Sequence, residues 1–126
     1  MRRAVRRFPI LLLPLLAFAP AAAHATDVTG LWELSTQINQ TPVVIHCSVL
    51  QIGADLSGWC RPESAGMDPS AFTGRLDGQT LTWGYDVTFR GSRNHVAYSA
   101  TLSSASAMTG TLTGTGAPAA FTAARK

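Results

Sequence analysis

Cys47 and Cys60, the only cysteines in the chain, bracket the stretch HCSVLQIGADLSGWC. A redox-active pair needs closely spaced thiols with a depressed pKa, and nothing in this stretch supplies one. A structural disulfide is the expected chemistry, and it belongs to an oxidising compartment. Beyond the first 25 residues the histidines are His46 and His95. Neither has the further donors that a metal site needs, nor the poised partner that general-base work needs. Both read as solvated surface groups. The acids form no catalytic pair. Asp55 and Asp77 sit in turn signals, Glu63 and Asp68 decorate a polar connection, and Asp86 points away from an apolar row. Serines are plentiful, but no G-x-S-x-G elbow accompanies them. No residue is therefore assigned as catalytic, as a metal ligand or to a cofactor. The set with binding chemistry is Trp83, Tyr85 and Tyr98 with Gln51, which offers aromatic surface, two hydroxyls and one amide. Buried tyrosine hydroxyls need partners, and a small apolar or aromatic ligand is the partner this set suits.

Such residues converge only if the elements carrying them do. In TLTWGYDVTF, Leu81, Trp83, Tyr85, Val87 and Phe89 fall on one face, and Thr80, Thr82, Gly84, Asp86 and Thr88 on the other. That is the period of a half-buried strand, in residue types that favour strands. No window carries a helical stripe. Turn signals divide the chain into eight expected strands, at 30–38, 43–52, 55–61, 70–76, 79–90, 94–103, 107–113 and 118–125. Asp77-Gly78 is the strongest hairpin signal, with glycine supplying the positive φ of a two-residue turn. Gly53-Ala54 suits the turn type with glycine in its first central position. RPESAGMDPS reads as a longer loop at a barrel mouth, and GTGAP as a flexible connection. Short, evenly spaced strands suggest an antiparallel meander. Closure into an eight-stranded up-and-down barrel removes the edges that would otherwise invite aggregation.

A Gly53-Ala54 turn sets a register. Ile52 then faces Asp55, Gln51 faces Leu56 and Cys47 faces Cys60. The cysteines fall on a non-hydrogen-bonded pair, where Cα atoms are about 4.5 Å apart, at the near end of disulfide geometry. The bridge would close a loop of about 14 residues and contribute about 3 kcal/mol in the chain-entropy view. The same register points Val43, Ile45, Cys47, Val49, Gln51, Leu56, Gly58 and Cys60 inward, and His46, Ser48, Ser57 and Trp59 outward. Phe72, Gly74, Leu76, Tyr98, Ala100 and Leu102 also point inward. An eight-stranded barrel is just wide enough to be filled by side chains or to hold one small ligand. The inward aromatics Phe72, Trp83, Tyr85, Phe89 and Tyr98, with Met108, suit either outcome.

The first 25 residues, MRRAVRRFPILLLPLLAFAPAAAHA, join four arginines to a short apolar run and an A-x-A end. This is the pattern of a signal peptide, with cleavage expected after Ala25. The apolar run is shorter than the roughly 20 residues a spanning helix needs. No cysteine follows it, so no lipid anchor is expected. The arginine pairs hint at twin-arginine export, but ordinary secretion fits their surroundings better. Residues 26–126 are expected to form one β-barrel domain, periplasmic or secreted. The formal charge of +3 belongs to the leader, whose removal leaves six Lys and Arg against seven Asp and Glu. That balance offers no basic face for nucleic acid and no polybasic membrane patch.

TGLW with its G-x-W pattern, VLQIGADLSG, and MTGTL followed by FTAARK together resemble small exported lipocalin-like barrels of the calycin and avidin superfamily. The resemblance spans about Thr29 to Lys126. It implies that Trp32 plugs the barrel floor and that Arg125 on the last strand packs over it, both in structural roles. LSG and FTGRL echo avidin, but the biotin contact set has no counterpart here. The layout is also similar to small periplasmic inhibitors of metalloproteases and of c-type lysozyme, without their inhibitory motifs. Fold alone does not fix function. The leading reading is a binding protein for a small apolar or aromatic molecule. A protein-interaction or inhibitor module using the barrel-end loops RPESAGMDPS and RGSRN is the alternative, and a lyase or isomerase acting inside the barrel a third.

Overall fold

The computed structural model describes residues 27–64, 68–89 and 91–126, the side chain of Phe89 excepted. The expected leader and the inward placement of Phe89 lie outside the described residues. Eight strands follow one another: β1 (Gly30–Ile38), β2 (Thr41–Ile52), β3 (Asp55–Pro62), β4 (Ser70–Asp77), β5 (Thr80–Phe89), β6 (Ser92–Ser104), β7 (Ala107–Thr113) and β8 (Ala119–Arg125). Each pairs antiparallel with the next, and β8 returns to β1, closing the barrel. The alternation of apolar and polar residues gives every strand one buried face, and closure leaves no edge strand.

Cys47 lies opposite Cys60 and Ile52 opposite Asp55, the register expected from a Gly53-Ala54 turn. The two sulfurs are bonded, with Cα atoms 4.1 Å apart. The β4–β5 turn is shifted by one residue from the expected one. Asp77 pairs with Thr80, so the central residues are Gly78 and Gln79 rather than Asp77 and Gly78. Glycine still takes the strained position, with φ of 61°, and Asp77 closes the ladder from the strand side. The β1–β2 turn uses Asn39 and Gln40, both at positive φ without a glycine.

The up-and-down order sends alternate turns to opposite ends. Residues 27–29, the β2–β3, β4–β5 and β6–β7 turns and the C-terminus gather at one end. The other end carries the remaining connections and is the mouth. Pairing of β4 with β5 stops at Thr73–Gly84, and that of β6 with β7 at Ala97–Thr113. Beyond those points Tyr85–Phe89 and Ser92–Val96 pair only with each other, so the β5–β6 hairpin extends the wall at the mouth.

The interior has two halves because large and small side chains are unevenly distributed along its axis. A ring layer crosses the middle. Trp83 stacks on Tyr98 with centroids 4.8 Å apart, Phe121 meets both edge-on, and Phe72 lies tilted against Trp83. Below it Trp32, Leu34, Cys47, Leu56, Leu81 and Met108 leave a void of only about 10 Å³. Above it the wall carries shorter residues, Val43, Ile45, Val87, Val96 and Leu112, which cannot meet across the bore.

Candidate functional site

The space those shorter residues leave is a cavity of about 480 Å³ opening at the mouth. That is within the range of small-molecule sites. Its apolar wall comes from β1, β2, β3, β5, β6 and β7, and its polar rim from Asn39, Ser64, Asp68, Ser70, Asn94 and Thr115. Tyr85 and Tyr98 also line it, as buried side chains from neighbouring strands. They project together because β5 and β6 pair Trp83 with Tyr98 and Tyr85 with Val96, which places both tyrosines on the inner face.

The two hydroxyls are hydrogen-bonded to each other at 2.5 Å. No other hydrogen bond to either is present among the described residues. Burial raises both hydroxyls above the ordinary phenol range. For Tyr98 the neighbouring Tyr85 adds to the effect, and for Tyr85 the bond to Tyr98 partly offsets it. Both therefore stay protonated at neutral pH. Thr115 Oγ1, on the same cavity, is buried without a hydrogen-bond partner. Across the described lining, Asp68 is the one carboxylate, and no Lys, Arg or His accompanies it.

The four residues expected to hold a ligand do not share one place. Tyr85 and Tyr98 meet at the cavity. Trp83 lies beneath, under Tyr98, and contributes no surface to the opening. Phe72 and Met108 line the small lower void instead. Gln51 is at the opposite end of the barrel, which corrects its expected place in the pocket. Its Oε1 accepts from Val28 N at 2.9 Å, its Nε2 donates to Gly53 O at 2.9 Å, and its backbone N–H donates to Thr29 Oγ1. The sequence held a signal for this: Gln51 stands two residues before the closed-end turn at Gly53, whereas Tyr85 stands well beyond the one at Gly78. Asn39, Asp68 and Thr115 reach the rim from connections, where strand parity says nothing about direction, whereas Asn94 is on β6 with the inward parity of Val96 and Tyr98.

Gln51 belongs to a plug formed by residues 27–29. Val28 is fully buried there, and its carbonyl accepts from Trp32 Nε1 at 3.0 Å. The Arg125 guanidinium lies over the Trp32 ring, with Cζ 4.9 Å from its centroid. It also donates to the carbonyls of Thr29 and Asp27 at 2.6 Å each, and to that of Ala105. Gly30 of the G-x-W pattern has φ of 141°, and a Cβ there would come within 3.2 Å of Arg125 Nη1. The glycine gives the guanidinium its passage to residues 27–29.

His95 has a partner that its reading as a lone surface group missed. Its Nδ1 meets Asp86 Oδ1 at 2.8 Å, and Arg93 meets the other carboxylate oxygen at 3.0 Å. The bond to His95 is the main cause holding the Asp86 carboxyl below its usual value. This cluster is on the outer face of the β5–β6 hairpin. A histidine oriented by a carboxylate is half of a nucleophile-activating arrangement, but no hydroxyl bonds its other nitrogen among the described residues. His46 Nε2 is 3.9 Å from a carboxylate oxygen of Glu63. Among the described residues, no group of three His, Cys, Asp or Glu side chains could hold a metal ion.

No protein-family model matches the chain, and no curated protein matches it in sequence. Among solved structures it is similar to a redesigned β-barrel, mFAP1, determined bound to DFHBI. The two align with a TM-score of 0.55 and 11% identity, over 79% of this chain and 94% of the other. At that identity the likeness shows the fold: the chain is an eight-stranded antiparallel barrel of the general architecture of a barrel that holds a small ligand.

Proposed function

We propose that this chain is an exported binding protein that takes a small apolar or aromatic molecule into the mouth of its barrel. The observation that carries the reading is the hollow upper half, an apolar cavity of about 480 Å³ with a buried tyrosine pair on its wall. A barrel serving only as a scaffold has no need of that space. Its lower half shows that side chains of this chain can fill the bore. The likeness to mFAP1, a barrel seen with DFHBI bound, supports the same use of the architecture. The leader-like opening residues and the disulfide support an extracytoplasmic location.

The test is titration of the purified protein with N-phenyl-1-naphthylamine, a neutral aromatic probe whose emission rises on leaving water. Saturable binding is expected. Val43→Trp, which places an indole on the cavity wall, should weaken it by about ten-fold or more, a loss of about 1.4 kcal/mol, with the melting temperature little changed. Binding that ignores Val43→Trp would place the probe elsewhere and remove the reading.

A further inference from the structure

The chemistry of the cavity wall narrows the ligand further than its size does. Two hydroxyls carry two protons, and one hydrogen bond between them uses one. Whichever tyrosine donates, the other O–H is left with no acceptor among the described residues, beside an apolar cavity. A buried donor without a partner is unfavourable, so the pair is a built point of attachment for an acceptor atom. Thr115 Oγ1 is a second hydroxyl on the same cavity without a partner.

Charge decides which acceptor. An anion entering this space loses its hydration, and no cationic side chain among the described lining compensates it. Asp68 stands at the rim with the same sign. Arg93, on the adjoining hairpin, is engaged outside the barrel with Asp86. The tyrosines do not become anionic partners for a cation either, because burial keeps both protonated.

Resting on the ligand-binding reading above, we infer that the ligand is uncharged, with an apolar body and a carbonyl, ether or similar neutral oxygen that accepts the remaining proton of the Tyr85–Tyr98 pair. The site selects against carboxylates of the same shape. It is a receptor for ketone-, quinone- or ester-like molecules rather than for fatty acids.

Three probes of one shape separate the possibilities. 2-Acetylnaphthalene presents a carbonyl, 2-isopropenylnaphthalene replaces that oxygen with CH₂, and 2-naphthoate replaces the acetyl group with a carboxylate. Each is measured at pH 7 by displacement of N-phenyl-1-naphthylamine. The ketone should bind about 3- to 10-fold more tightly than the hydrocarbon, as one hydrogen bond implies. The carboxylate should bind about ten-fold more weakly than the ketone, and Asp68→Asn should recover part of that deficit. In Tyr85→Phe/Tyr98→Phe the ketone should lose its advantage over the hydrocarbon while both still bind. Removing both partners of one buried hydrogen bond leaves neither group unsatisfied, so this double variant should fold. If it does not, Thr115→Val and the wild-type ratios still decide. Equal affinity of ketone and hydrocarbon for the wild type, or tightest binding of the naphthoate, would overturn the inference and leave the cavity a binding site. Failure of all three to displace the bound probe would overturn the inference alone, whereas probe binding that ignores Val43→Trp would remove the ligand-binding reading and the inference with it.

Discussion

Tyr85 and Tyr98 are the only tyrosines in the chain, so the chemistry of the pair can be followed without background. Burial raises both above the phenol value of 10.0. Above that pH the unfolded chain loses protons that the folded chain retains. The stabilisation from keeping them neutral is therefore fully present below about pH 10 and is lost as pH rises further. Spectrophotometric titration at 295 nm should show no tyrosinate in the native protein near pH 10, and its appearance at higher pH should coincide with loss of the strand signal in circular dichroism. In denaturant the same absorbance should rise around the ordinary value. Tyrosinate formed near pH 10 with the fold intact would mean that the pair is open to water.

At the scale of elements, the β2–β3 hairpin shows how much two-residue turns fix. Gly53 ends one strand, the ladder runs back through Gln51–Leu56, and Cys47 meets Cys60 as a consequence. The bridge lies beside the filled lower half, where Cys47 lines the small void, and not on the mouth. Cys47→Ala/Cys60→Ala should therefore lower the free energy of unfolding by about 3 kcal/mol, as expected for a loop of this length. Urea denaturation would measure the loss, and probe affinity at the mouth should change less than two-fold. A large loss of affinity would mean that the halves are mechanically coupled. The β4–β5 turn shows the limit of the same reasoning. Asp-Gly and Gly-Gln are both acceptable two-residue centres, and a one-residue difference moves the strands relative to each other. The inward set of β5 selects Gly78-Gln79, because it brings Leu81 opposite Leu76 and Trp83 opposite Gly74.

For the molecule as a whole, the two ends have different tasks. The closed end is a lock made by Arg125, Trp32 and residues 27–29, and Lys126 adds a contact to Glu33 at 2.6 Å. Arg125→Ala removes a guanidinium lying over an indole and its bonds to three carbonyls. The expected loss is about 2 kcal/mol, with faster amide exchange at Val28 and Thr29. Arg125→Lys should recover little, since an ammonium cannot bridge separate carbonyls in the plane of the ring. Because the ring layer of Trp83, Tyr98 and Phe121 separates the ends, probe affinity should stay within two-fold of wild type. A parallel loss of affinity would contradict that separation.

Alternation, turn residues and the spacing of the cysteines are local properties, and they determined the eight strands, the inside and outside of each, and the disulfide. A period of two and a two-residue turn propagate along a strand without reference to the rest of the chain. Depth along the barrel axis is different. Gln51 and Tyr85 share an inward direction but face opposite ends, and only the closed ladder sets how far apart they stand. Whether the bore is full depends on summed side-chain volumes at each level, and so on which rings from β4, β5, β6 and β8 meet in one layer. The connections that bring Asn39, Asp68 and Thr115 to the rim have no repeating period to read. Their positions, and with them the cavity, were decided by the tertiary structure.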